Sequence, residues 1–195
     1  IKIKSLIGKL GSTESRVFIT GPAGSGKELV ARQIHKKSLR ANKPFVVVNG
    51  ALLDPEKYEL ELFGSENTEG IISQGFFEKA MDGTLLIDEI SEIPLTTQAK
   101  ILRVLIDQKF KRVNGIKEIN VNVRIISTST KIIREEVDKG NFREDLYHRL
   151  NVVPINLPAL KDRYQDIPLL LNYFSKKISE SNGIPNADID VNSDL

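Results

Sequence analysis

A chain of 195 residues is long enough to bury one sizeable core and the beginning of a second, smaller one. Its 28 Lys+Arg and 26 Asp+Glu are interspersed and leave a formal charge of +2, too slight for a nucleic-acid footprint; Lys36-Lys37 and Lys109-Phe110-Lys111-Arg112 read as solvated faces. The absence of cysteine excludes disulfides and thiolate metal sites, His35 and His148 alone do not make a structural zinc, and with no apolar run near ~20 residues and no signal-like start at Ile1-Lys2-Ile3-Lys4, a cytoplasmic protein without a membrane partner is expected.

In chain order, Leu6, Ile7 and Leu10 make Lys4 to Leu10 a short amphipathic helix that ends near Gly11. Arg16-Val17-Phe18-Ile19-Thr20, β-branched and aromatic, reads as the first strand. It runs into Gly21-Pro22-Ala23-Gly24-Ser25-Gly26-Lys27-Glu28, after which Leu29, Val30 and Ile34 recur at helical spacing. Strand, GxxxxGK loop and helix together form a phosphate-binding pattern. Glycines let backbone N–H groups converge on phosphate oxygens, the helix adds its N-terminal dipole, and Lys27 supplies a mobile charge. ATP or GTP is the first ligand to consider; the plainer alternative is a glycine-rich strand-to-helix turn. Glu28 stands where such loops usually carry Ser or Thr on magnesium, so either its carboxylate ligates the metal through water or another group does.

Lys43-Pro44 breaks the chain before Phe45-Val46-Val47-Val48, an uninterrupted apolar strand suited to cover on both faces, which Asn49-Gly50 ends. A short helix is predicted from Tyr58 to Phe63, a loop from Gly64 to Gln74 and another helix from Gly75 to Met81. Thr84-Leu85-Leu86-Ile87 is the third strand, and Pro94 introduces a helix with Ile101, Leu102, Leu105 and Ile106 on one apolar face. Phe110 to Val113 and Val121 to Ser127 are strand candidates around Asn114-Gly115. Phe142 to Leu150 is helical, Val152 to Ile155 a short strand, Ile167 to Ile178 a new helical region, and from Ser179 onward the composition is that of a loop. Strands alternating with helices predict right-handed crossovers and an α/β fold, a mainly parallel five-stranded sheet flanked by helices.

Asp88-Glu89 directly follows the third apolar strand, in the place of a Walker B acidic pair. Carboxyl ends of neighbouring strands in a parallel sheet share one edge. Asp88 can therefore hold the Mg2+ of a nucleotide on the first strand's loop, with Glu89 reaching the metal through water or polarising the attacking water. The alternative is that these carboxylates cap the next helix. A carboxylate beside the γ-phosphate favours hydrolysis over binding alone.

At this point the chain resembles the AAA+ domain of bacterial enhancer-binding proteins, the sigma-54-dependent transcription activators. The likeness rests on Gly21 to Glu28, including the Glu after the lysine, on Phe45 to Asn49, on Glu61-Leu62-Phe63-Gly64 and on Gly83 to Glu89. It rests also on Leu102-Arg103-Val104-Leu105 and on Phe142-Arg143-Glu144-Asp145-Leu146-Tyr147-His148-Arg149-Leu150-Asn151-Val152. The resemblance implies an AAA+ P-loop NTPase that binds ATP or ADP through Gly21 to Leu29, with Lys27 on the β- and γ-phosphates, Asp88 on Mg2+ and Glu89 on the water. It implies that Asn49 is a switch residue pairing with the catalytic glutamate, and that Ser127-Thr128-Ser129-Thr130 is the sensor I segment, with Thr130 toward the phosphate or water. Arg143 and Arg149 match the arginine-finger region that reaches a neighbouring subunit. Six helical residues turn ~600°, so the two do not share a face and one of them acts from the start of the helix.

Between Gly64 and Gly75, relatives that activate sigma-54 polymerase carry a GAFTGA sequence. This chain has the shorter Ser65-Glu66-Asn67-Thr68-Glu69-Gly70-Ile71-Ile72-Ser73-Gln74. The gap resembles the NtrX branch of response regulators, and contact with sigma-54 polymerase is not expected through this stretch. The resemblance implies an AAA+ domain over residues 1–160 and the start of a helical lid over 161–195, with a sensor II arginine, a receiver and a helix-turn-helix domain outside the chain. Implied partners are further copies of the chain, from dimer to ring, and for the full-length protein DNA and a sensor kinase. Three functional readings follow: a hydrolysing ATPase module of a two-component transcription regulator, a nucleotide-controlled assembly module with little turnover, and a sigma-54 activator with a divergent loop.

Overall fold

Alternation along short strands divides the apolar residues between two cores. In the computed structural model, which describes residues 2–54 and 56–183, five strands form one parallel sheet in the order β2-β5-β8-β1-β9. They are β1 (Val17–Thr20), β2 (Phe45–Asn49), β5 (Thr84–Asp88), β8 (Arg124–Ser129) and β9 (Val153–Asn156). Because successive side chains point to opposite faces, Phe18, Val48, Leu85, Ile87 and Ile125 enter one core, and Val17, Ile19, Leu86, Ile126 and Ile155 the other. The first core is closed by α3 (Tyr58–Phe63), α4 (Phe76–Lys79), α5 (Leu95–Asp107) and α7 (Glu144–Leu150), with Phe63 stacked on Phe77 at 5.5 Å between ring centroids. The second is closed by α1 (Lys2–Gly11) and α2 (Lys27–Lys36). The α/β class and the parallel five-stranded sheet expected from the sequence are both present.

β2 is an edge strand, with β5 its only neighbour in the sheet, and is mostly half-buried, although Val46 and Val48 pack on the first core and Phe45 and Val47 on the second, the cover on both faces that the apolar run implies. Several local expectations need correction. On α5 the buried stripe is Thr97, Gln98, Ile101, Val104 and Leu105, whereas Ile106 is 55% exposed; it lies one residue, or ~100°, beyond Leu105. The Val121 to Ser127 run is not one strand. Val121 donates its N–H to Gln108 and Asn122 accepts from Asp82, so the chain is diverted before β8 begins at Arg124. The partner of β6 (Lys109–Lys111) is instead β7 (Glu118–Asn120), in an antiparallel hairpin. The Gly64 to Gln74 loop contains a second hairpin, β3 (Ser65–Glu66) with β4 (Ile72–Ser73), and α6 (Ile133–Asp138) was not foreseen.

The chain divides into two units, the first running to Leu157 and the second from Pro158. Among described residues the second contains a 3-10 segment, Leu160–Asp166, and α8 (Ile167–Asn182). The helix passes through Ser179 to Asn182, where a loop was expected, and stops where Gly183 adopts φ 64 and donates its N–H to Ser179. The rest of that polar segment, 184–195, lies outside the described residues. No described helix is long and apolar enough to cross a membrane.

His35 gives the fold a pH dependence. Its ring is buried against Phe45 and its Nδ1 shares a 2.9 Å hydrogen bond with the Thr84 hydroxyl. Burial, reinforced by Arg124 and Arg32 and opposed by a hydrogen bond to the Lys43 backbone, pushes its pKa below the usual imidazole value. The unfolded chain therefore takes up a proton near pH 6.5 that the folded chain resists, so this contribution is present above about pH 6.5 and is lost as pH falls through the window below it. Urea unfolding at pH 7.5, 6.5 and 5.5 is expected to lose stability stepwise. His35→Gln should flatten that loss, and an equal loss in wild type and variant would refute the assignment.

Candidate functional site

The Gly21–Glu28 loop follows β1 at the carboxyl edge of the sheet. Gly21 has φ 153, and a Cβ there would lie 2.6 Å from the Leu157 carbonyl oxygen, so the close approach admits only glycine. Gly26, at φ 90, sits at the N-cap of α2 and offers no capping side chain. The first-turn amides of α2, beginning with Lys27, have no acceptor one turn earlier within the helix, the arrangement that binds anions at helix starts. Lys27 is buried, its side chain 8% exposed. Its Nζ donates to the carbonyls of Gly21 at 2.9 Å and Pro22 at 3.2 Å and lies 3.5 Å from Oε1 of Glu89.

Asp88 and Glu89 sit at the same edge, although not on the adjacent strand. β8 lies between β1 and β5, with Thr20 opposite Ser129 and Ile87 opposite Ser127. The end of β8 thereby becomes part of the cluster. The buried Thr128 hydroxyl donates to Oδ1 of Asp88 and accepts the backbone N–H of Glu89 at 3.1 Å. Asn49 donates through Nδ2 to Oδ2 of Asp88 at 3.1 Å, while its Oδ1 accepts from Ala51. The expected pairing of Asn49 with Glu89 is thus replaced by one with Asp88, because Asn49 and Asp88 are direct register partners across β2 and β5. Both Asp88 oxygens are held by neutral donors, and among described residues no cation pairs with it.

Glu89 leaves the strand in a left-handed conformation, φ 50, which only a minority of non-glycine residues adopt. Its Oε2 accepts from Thr130 N at 2.9 Å and Thr130 Oγ1 at 2.8 Å, while Oε1 faces Lys27. Thr130 therefore orients Glu89 in this arrangement. The sequence reading missed the role of Thr128; its only signal was the hydroxyl run Ser127 to Thr130 after the apolar Ile125-Ile126. Glu28 does not turn toward Asp88: on the exposed face of α2 it pairs with Arg32, whose Nε donates at 2.8 Å. Leu29 is likewise exposed. Described residues contain no group of three or more His, Asp or Glu fit to hold a metal alone. A donor set of Asp88, with Glu89 one residue away, fits a Mg2+ that takes its remaining oxygens from nucleotide phosphates and water.

Arg143 and Arg149 occupy opposite ends of α7. Arg143 is its N-cap residue, fixed through its backbone N–H to Oε1 of the buried Gln98 at 2.9 Å, and its guanidinium forks onto Asp145 at 3.0 and 2.7 Å. Arg149 donates to the Leu105 carbonyl at 3.4 Å, near the end of α5. Neither touches the Gly21–Glu28 loop, Asp88 or Glu89 of its own chain.

Comparison with known proteins points to one family. The profile described as the sigma-54 interaction domain matches residues 1–156. The nitrogen assimilation regulatory protein NtrX of Azorhizobium caulinodans is 48% identical over 184 residues, which cover 94% of this chain and 40% of that protein. A crystal structure of NtrX from Brucella abortus in complex with ATP superposes with a TM-score of 0.90 at 49% identity, over 97% of this chain and 44% of that one. A second Brucella abortus NtrX structure, in complex with ADP, also gives 0.90, at 47% identity over 97% of this chain and 42% of that one. The chain thus spans about two fifths of the length of the relatives it matches.

Proposed function

This chain belongs to the sigma-54 interaction domain family, of the AAA+ P-loop NTPase class, and from that premise we propose that it binds ATP and ADP and hydrolyses ATP as the central module of an NtrX-like two-component transcription regulator. The observation that carries the reading is the convergence of Lys27, Asp88 and Glu89 at one sheet edge, with Lys27 and Glu89 3.5 Å apart and both oriented by neighbours. The ATP and ADP complexes of the Brucella abortus relative support the same ligands here.

In the proposed mechanism Gly21 to Leu29 wraps the phosphates and Lys27 leaves the Gly21 and Pro22 carbonyls for the β- and γ-phosphate oxygens. Asp88 would hold Mg2+, which would neutralise phosphate charge. Glu89, aimed by Thr130, accepts the proton of the attacking water. Asn49, bonded to Asp88, is suited to couple β2 to the site. Either arginine can act in trans: Arg143, at the start of α7, must release the fork it makes onto Asp145 at 3.0 and 2.7 Å, whereas the exposed Arg149 has only a 3.4 Å hydrogen bond to the Leu105 carbonyl to give up. The second unit is proposed as the beginning of the lid, and the whole protein's DNA and sensor-kinase contacts follow from the regulator role.

ATP turnover per subunit, measured across dilution, tests the in-trans arrangement. It is expected to rise with protein concentration, and Arg143→Ala or Arg149→Ala, whichever removes the finger, is expected to lower the plateau by a factor on the order of 10³ while nucleotide binding is retained. Turnover per subunit that stays flat on dilution overturns it. The closed β3–β4 hairpin favours a second reading for the output. Its tip is tied by Asn67, whose Oδ1 accepts the N–H groups of Glu69 and Ile71, so nucleotide would set assembly without remodelling sigma-54 polymerase. Open-complex formation with sigma-54 polymerase would refute this second reading.

A further inference from the structure

At the amino ends of the strands, on the sheet edge opposite the Gly21–Glu28 loop, lies a cleft of about 390 Å³. Arg16 precedes β1 and Arg124 opens β8, so the parallel sheet brings both to this edge; Arg40 joins them, and Glu14 is the one carboxylate among the lining residues. Apolar side chains, including Val104, Val121 and Val123, form the remaining wall.

Two of these cations, Arg16 and Arg124, are held by carbonyls in place of counter-ions. Arg124 is 2% exposed; its Nε donates to Ser15 O at 3.3 Å and its Nη2 to Leu10 O at 2.9 Å, but its buried Nη1 has no hydrogen-bond partner. Arg16 donates to the carbonyls of Arg149 at 3.0 Å and Leu105 at 3.3 Å, and Arg149 shares the Leu105 carbonyl. Arg40 alone has a carboxylate partner, Glu14, at 2.8 Å, and its Nη groups also donate to the Gly83 and Asn122 carbonyls and to Asn122 Oδ1, so it contributes charge to the cleft more than free donors. Burial first, then Arg149 for Arg16 and Arg40 for Arg124, push both pKa values down, with Glu14 partly offsetting this at Arg124. That is the direction expected where cations are gathered without enough anions.

Buried polar groups are nearly always hydrogen-bonded, and a guanidinium prefers a planar oxyanion that accepts two parallel N–H bonds. We propose that this cleft is a second ligand site, separate from the nucleotide site, which takes the phosphate or carboxylate group of a small organic acid: the oxyanion lies among Arg16, Arg40 and Arg124 and the organic body against the valines. The cleft is within the range of small-molecule pockets and larger than a bare oxyanion needs.

Phenyl phosphate, benzoate and neutral phenol serve as probes in calorimetric titrations, with ADP and Mg2+ saturating so that the nucleotide loop does not compete. At least one of the two anions is expected to bind at millimolar concentration or tighter, above the effect of chloride at equal ionic strength, while phenol does not. Arg16→Gln, at the edge of the cleft, should weaken that binding at least tenfold and leave ADP affinity unchanged; Arg124→Gln serves as a second variant if it folds. Preference between phenyl phosphate and benzoate identifies the acid group. Anion effects no larger than those of chloride, or binding untouched by Arg16→Gln, would overturn the proposal and leave Arg124 Nη1 to water. The unchanged ADP affinity keeps this outcome separate from that of the nucleotide reading.

Discussion

Replacing Lys27 with alanine is expected to weaken ADP and ATP binding by roughly 10- to 100-fold. A hydrogen bond to a charged group contributes about 1.5–3 kcal/mol, and each 1.4 kcal/mol is a factor of about ten in affinity. Lys27 is preset for this role, because burial and the Gly21 and Pro22 carbonyls hold its ammonium within the loop that would wrap the phosphates. The same substitution leaves Glu89 bonded to Thr130, so the acidic edge keeps its shape. Isothermal titration with ADP, beside a thermal melt to verify folding, measures the effect. Wild-type affinity in a folded Lys27→Ala protein would remove the basis for the nucleotide reading.

Glu89→Gln separates hydrolysis from binding. The amide oxygen can still accept from Thr130 N, and the left-handed backbone at position 89 is set by the turn into Ile90–Glu92. What disappears is the charge that accepts a proton, so turnover is expected to fall by about 10²- to 10⁴-fold while ADP binds within a fewfold of wild type. Single-turnover assay with radiolabelled ATP on the assembled protein reads the chemical step directly. Undiminished turnover would assign the base elsewhere. If transcriptional regulation nevertheless persists in the Glu89→Gln protein, the nucleotide acts as an assembly switch and not as fuel.

The two predictions draw on residues that differed in how readily the sequence disclosed them. Lys27 and the Asp88-Glu89 pair were legible because each sits at a fixed offset from a strand, and chemistry at a strand end needs few tertiary facts. Asn49 was legible as a site residue, but its partner was not: register across β2 and β5 pairs it with Asp88, and register is a property of two segments at once. Thr128 was harder still. Its role exists because β8 is inserted between two strands that precede it in the chain, and crossover order is not written in any one strand. Glu28 shows the converse, since its partner Arg32 lies four residues on along the same helix and the pair was open to reading from spacing alone.

By itself the sequence determined the α/β class, the strand-loop-helix start, the places of the main helices and the acidic pair, all of which depend on local pattern and short offsets. Only the tertiary structure decided which strand lies between β1 and β5, that β2 is an edge, that Thr130 holds Glu89, and that Arg16, Arg40 and Arg124 line one cleft. The physical reason is the same in each case. Local geometry follows from steric and hydrogen-bonding rules a few residues long, whereas strand order and the meeting of distant side chains follow from how two cores close on opposite faces of one sheet.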